Sequence, residues 1–77
     1  MGAFAIDIFI TYQQDFYNET GLHVIRTKQL HYTAFDDKTA EAIIQSVRHA
    51  LVMAGCTVLN TAKVLKPIQE VLEEGGT

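Results

Sequence analysis

The sequence predicts a small α+β domain: an antiparallel β-hairpin packed on a central α-helix, followed by a short C-terminal strand and helix (ββα-βα). Three observations predict it. Ala3 to Tyr12 alternates with a period of two, Leu22 to Phe35 is a second run rich in Val, Ile, Thr, Tyr and Phe, and from Ala40 the apolar period changes to that of a helix.

In the first run Phe4, Ile6, Ile8, Ile10 and Tyr12 fall on one face, and Ala3, Ala5, Asp7, Phe9 and Thr11 on the other. That is a half-buried strand, and Phe9 marks its second face as not wholly solvated. Gln13 to Gly21 reads as a connection, with Asn18 and Gly21 as turn formers. Leu22 to Phe35 then spans fourteen residues. Fully extended it would reach roughly 46 Å, longer than most strands. Its even face passes from apolar (Leu22, Val24) to basic (Arg26, Lys28) and back (Leu30, Tyr32, Ala34), so a bulge or break is expected near Arg26–Gln29.

Asp36 opens the helix. Its carboxylate is placed to accept the unpaired amides of the first turn and suits the positive end of the helix dipole. Phe35 and Ala40 occupy the two positions of a hydrophobic staple. Ala40, Ile43, Ile44, Val47, Leu51 and Ala54 form the core stripe, and Gly55 is suited to a left-handed stop. A third strand is expected near Thr57–Val64, with Pro67 in the first turn of a short helix whose apolar stripe is Ile68, Val71 and Leu72. The competing pattern is one helix from about Asn60, which Pro67 would have to kink. Residues 72–77 read as a frayed tail of a single domain spanning 1–77.

A chain of 77 residues buries only about 60% of its unfolded surface, so its core is marginal without a staple. Cys56 is the sole cysteine, which rules out an intrachain disulfide. Oligomerisation is the remaining way to finish the core, and a 48% hydrophobic content supplies the surplus apolar surface. The net charge of −3 argues against the pervasive basic surface that gives nucleic acid its nonspecific affinity. The run "AFAIDIFI" is too short and carries Asp7, so no targeting segment or membrane span is read and a cytoplasmic location is expected.

Chemically capable side chains are densest in "LHYTAFDDKTAEA", Leu30 to Ala42. His31 with a carboxylate could serve acid–base chemistry. Yet His31 and Tyr32 point to opposite faces of a strand, and Asp36 and Asp37 are accounted for by the helix start. No nucleophile, cofactor fingerprint or zinc pattern accompanies them, so neither catalysis, a cofactor nor a metal is expected. His23 and His31 share parity but are eight residues apart, too far for one metal ion. Cys56 follows a helix C-terminus, where a thiolate is disfavoured.

Two surfaces remain. Arg26, Lys28, His31 and Tyr32 form the candidate ligand-binding set, since Arg and Lys projecting together can grip an anionic group such as a nucleotide phosphate. Phe9, Val52, Met53, Ile68, Val71 and Leu72 form the candidate interface set. The expectation is a non-enzymatic homo-oligomer that binds, blocks or sequesters a partner, most simply another protein. A small-molecule binder holding an anionic ligand such as a nucleotide at a subunit interface is the alternative, and a weak nucleic-acid-binding regulator stands behind both.

Overall fold

In the computed structural model, which describes residues 4–67, the chain forms β1 (Phe4–Tyr17), β2 (His23–Ala34), α1 (Asp37–Met53) and β3 (Thr57–Pro67). The strands make one antiparallel sheet in the order β2-β1-β3, and α1 packs on one face of it. β1 takes the centre because it is the strand with three isoleucines in alternation. Ile8 and Ile10 are fully buried, Ile6 nearly so, and Ala34, Ala40 and Ile44 close over them. Leu30, Ile43, Val47, Leu51 and Val58 pack around this centre. The predicted stripe of α1 is thus the buried one, except that Ala54 is its exposed C-cap.

Both helix ends are chemically closed. Asp36 has extended backbone angles, its Oδ1 accepts the Thr39 amide at 2.7 Å, and its Oδ2 accepts the Thr39 hydroxyl at 2.9 Å. These bonds hold the Asp36 carboxyl below its ordinary range. At the other end Gly55 has φ +83°. The Gly55 amide donates to the Val52 carbonyl at 3.0 Å and the Cys56 amide to Leu51 at 2.9 Å, the paired bonds of a Schellman stop. The staple does not form: Phe35 is 70% exposed, so the cap alone sets the chain's entry into the helix.

Three further expectations are corrected. First, Gln13–Tyr17 is strand, not connection, because each residue finds a partner on β2. The turn is only Asn18 to Leu22, organised by the Asn18 side chain, whose Oδ1 accepts from the amides of Thr20 and Leu22. Gly21, at φ +81°, completes it. Secondly, β2 neither breaks nor bulges at Arg26–Gln29. Its register on β1 is regular from Tyr17↔His23 to Ile6↔Ala34. The irregularity lies on the other side, where Thr11 pairs with Asn60 and Tyr12 with Val58, leaving Leu59 as the extra residue.

Thirdly, Thr57–Pro67 is strand throughout, which excludes a helix from Asn60 over that span. Pro67 closes β3 opposite Phe4 instead of opening a helix. An edge strand tolerates proline, because the missing amide need not belong to the ladder. The expected C-terminal helix with Ile68, Val71 and Leu72, and the tail, lie outside the described residues.

The hairpin outruns everything packed on it. β3 pairs with β1 only as far as Gln13↔Thr57. Beyond that point, among the described residues, Gln14–Tyr17 and His23–Arg26 have only each other, and form a two-stranded arm. The extents are 56 × 28 × 14 Å and the radius of gyration is 16.9 Å, against roughly 11 Å for a compact chain of this length.

Candidate functional site

Residues paired across an antiparallel ladder point to the same side of the sheet. The face under α1 carries Ile6, Ile8 and Ile10 with their partners. The opposite face has no layer on it among the described residues, and it presents the odd-numbered residues of β1.

Two clusters of like composition stand on this open face. In the first, the ring of His31 stacks on Phe9, with centroids 4.8 Å apart and planes 9° from parallel. His31 Nε2 lies 3.2 Å from Asp7 Oδ1, and the Thr33 hydroxyl donates to the same oxygen at 3.2 Å. The hydrogen bond from His31 holds the Asp7 carboxyl below its ordinary range, with help from Thr33 and the Lys66 charge. In the second, His23 lies 3.8 Å from Asp15 and 5.3 Å, centroid to centroid, from Tyr17. Each cluster is an aspartate, an aromatic two residues on, and the histidine paired with that aromatic across the ladder.

The shared parity of His23 and His31 and the Asp-x-aromatic spacing at Asp7–Phe9 and Asp15–Tyr17 are the sequence signals of this repeat. Asp7 and Asp15 are not selected as partners from the sequence, because only the register of β1 on β2 brings them to the histidines. Chemically, the clusters orient and pair. Thr33 donates to the carboxylate and not to His31, and among the described residues no hydroxyl or thiol hydrogen-bonds either histidine. Nor does any group of three His, Cys, Asp or Glu side chains there sit close enough to hold a metal ion.

The four predicted ligand residues fall on both sides of the sheet. His31 belongs to the open face. Arg26, Lys28 and Tyr32 lie on the helix side, on β2. The Arg26 guanidinium rests 5.1 Å from the centroid of Phe16, a cation–π contact within the arm. Tyr32 lines a shallow apolar groove of about 340 Å³ on the β2 side of α1, with Thr39, Ala42, Ile43, Ser46 and Val47. Arg26, Lys28 and Tyr32 therefore share one strand face, with Leu30 between Lys28 and Tyr32, and His31 is separated from them by the sheet itself.

Of the predicted interface residues, Phe9 is half-buried beneath His31, while Val52 and Met53 are 63% and 74% exposed at the end of α1. Ile68, Val71 and Leu72 lie outside the described residues. Cys56 is half-buried immediately after the helix stop. On the helix side, Lys63 of β3 bonds both Glu41 and Asp37, and these bonds raise its pKa, Glu41 first. This lysine joins β3 to the acidic start of α1.

The two sheet edges differ. β3 is interrupted at Leu59 and ends in Pro67, two features that discourage a further strand. β2 is regular over twelve residues, contains no proline, and its outer edge has no partner among the described residues. No helix of the described residues is long and apolar enough to cross a membrane. No protein-family model, curated protein or solved structure matches this chain.

Proposed function

We propose that the protein is a non-enzymatic interaction module that works as a homo-oligomer and binds, blocks or sequesters a partner through surfaces completed by assembly. One observation carries the reading: among the described residues the sheet has a layer on only one side, and the surface is correspondingly large for the chain's mass. The accessible area is 5895 Å², against roughly 4,700 Å² for a compact monomer of 8.6 kDa. Four isoleucines and three alanines are the buried apolar residues among those described, a small core for a two-layer domain. Surplus surface of this kind is ordinarily covered by another subunit. Size-exclusion chromatography with light scattering tests it. A dimer or higher species at micromolar concentration is expected, and a monodisperse monomer overturns the reading.

A second reading, an anionic small-molecule binder, draws support from Arg26 and Lys28, which project from the same face of β2 and are both exposed. Its site would be built on that face with Tyr32 and without His31. Thermal-shift titration of wild type and Arg26→Glu with nucleotides separates the readings. A shift in wild type alone favours the ligand; no shift in either removes it.

A further inference from the structure

We infer that the partner is a second copy of this chain, joined through the outer edge of β2 in antiparallel register about Gln29, so that two three-stranded sheets become one of six strands. This rests on the homo-oligomer reading and specifies its geometry. The order would be β3-β1-β2 in one copy, continuing as β2-β1-β3 in the other.

The edge itself is the first argument. A long, regular strand with unpaired amides and carbonyls is a template for another strand, and proteins that avoid such pairing interrupt the edge. β3 is interrupted at Leu59 and closed by Pro67, whereas β2 is not interrupted at all. A sheet that, among the described residues, is open along β2 at one edge and guarded along β3 at the other is placed to receive a partner on the open side.

The pattern of β2 is the second argument. A two-fold axis perpendicular to the sheet must pass through a residue, because an axis between residues would oppose side chains of opposite faces. An axis through Thr27 sets Arg26 against Lys28 of the second copy, and one through Lys28 sets that lysine against itself. Both oppose like charges. An axis through Gln29 sets Lys28 against Leu30, Arg26 against Tyr32, Thr27 against His31, Ile25 against Thr33 and Val24 against Ala34. No cation meets a cation, and each Arg26 meets a tyrosine ring able to hold it. Among the registers that avoid opposed cations this one pairs the longest stretch, Val24 to Ala34. The change of character that the sequence shows at Arg26–Gln29 is thus a change from one half of a self-complementary strand to the other.

The groove is the third argument. It lies on the β2 side of α1, lined by Tyr32, Ala42, Ile43 and Val47. The perpendicular two-fold keeps both helices on the same side of the joined sheet. Each groove then faces its symmetry mate across the new strand pair, and the apolar walls lose water together. An isologous interface needs a patch that complements itself, and backbone edge, charge pattern and groove all do.

Cysteine cross-linking locates the axis. In a Cys56→Ser background, Gln29→Cys places the two thiols opposite one another, with Cα atoms about 4.5–5.5 Å apart, within disulfide reach. Mild oxidation should give a covalent dimer, while Gln45→Cys, on the exposed side of α1, should remain uncrosslinked. Light scattering supplies the second arm. Tyr32→Lys sets a lysine against each Arg26, two like-charge pairs per dimer, and should weaken the dimer about tenfold. Adding Arg26→Glu should restore it. A dimer that persists but neither cross-links at Gln29→Cys nor responds to Tyr32→Lys overturns the edge geometry and leaves the homo-oligomer reading standing. Equal cross-linking of both cysteine variants also overturns the edge geometry. A monomer under all conditions overturns both.

Discussion

The two ends of the β1–β2 hairpin belong to one uninterrupted ladder and have opposite fates. At the base, Ile6, Ile8 and Ile10 lie beneath α1, flanked by β2 and β3, and are almost wholly removed from water. In the arm the pairing of β1 with β2 is as regular, yet Tyr17 is 73% exposed and Ile25 53%. The chain is strand in both places. What differs is whether a second layer and a third strand arrive to cover it. A two-stranded ribbon is marginal on its own, so the arm is held by the base on one side and by the Asn18–Gly21 turn on the other.

That contrast predicts where substitutions will cost most. Ile8→Ala removes a fully buried side chain and should lose about 2–5 kcal/mol in chemical denaturation, a large part of the stability expected of so short a chain. Next comes Gly21→Ala, which forces a side chain into φ +81° and should cost about 1–2 kcal/mol, read in the same way. Phe16→Ala strips the Arg26 contact from the arm and should cost under about 1 kcal/mol. A loss from Phe16→Ala as large as that from Ile8→Ala would erase the distinction between base and arm. Hydrogen exchange sharpens it further: amides of Ile6–Ile10 should open only with global unfolding, and those of Phe16–Tyr17 and Val24–Ile25 through local opening.

Acid sharpens the comparison from another side. Asp7 and Asp36, both near the base, titrate lower in the fold than the ordinary value of 3.8. A carboxyl whose folded pKa is depressed stabilises fully above its unfolded pKa and loses that contribution as pH falls through the folded value. Thermal midpoints should therefore hold above about pH 5 and fall on acidification below pH 4. Asp36→Ala should lower the midpoint at neutral pH and flatten the acid limb. Asp7→Asn should do so to a lesser degree. An acid limb unchanged in both variants would show that neither carboxylate carries the dependence.

Much of the fold is legible in the sequence because it is local. Asp36 as cap, Gly55 as stop, the α1 stripe and the Ile6–Ile8–Ile10 face each depend on residues within a few positions of one another. The exceptions depend on distant partners. Gln13 to Tyr17 looks like polar connection until Thr27, Arg26, Ile25, Val24 and His23 are set opposite. Pro67 looks like a helix start until Phe4 is seen beside it. The His31–Asp7 pairing joins residues 24 positions apart, and parity alone does not choose which carboxylate meets which histidine. The candidate ligand set divided for the same reason that alternation made legible: Arg26, Lys28 and Tyr32 are even and His31 is odd.

The strand order has a consequence for the order of assembly. The central strand is the first made, and its two neighbours come from very different distances along the chain. β2 follows after a five-residue turn, so β1 and β2 close a short loop at little entropic cost. β3 must return across the whole of α1 to reach the other side of the same strand. On the ribosome, β1 therefore stands with one side zipped and the other bare until Thr57–Pro67 emerge. The chain's most apolar alternation spends that interval as a half-finished sheet, when a neighbouring nascent chain competes with its own third strand.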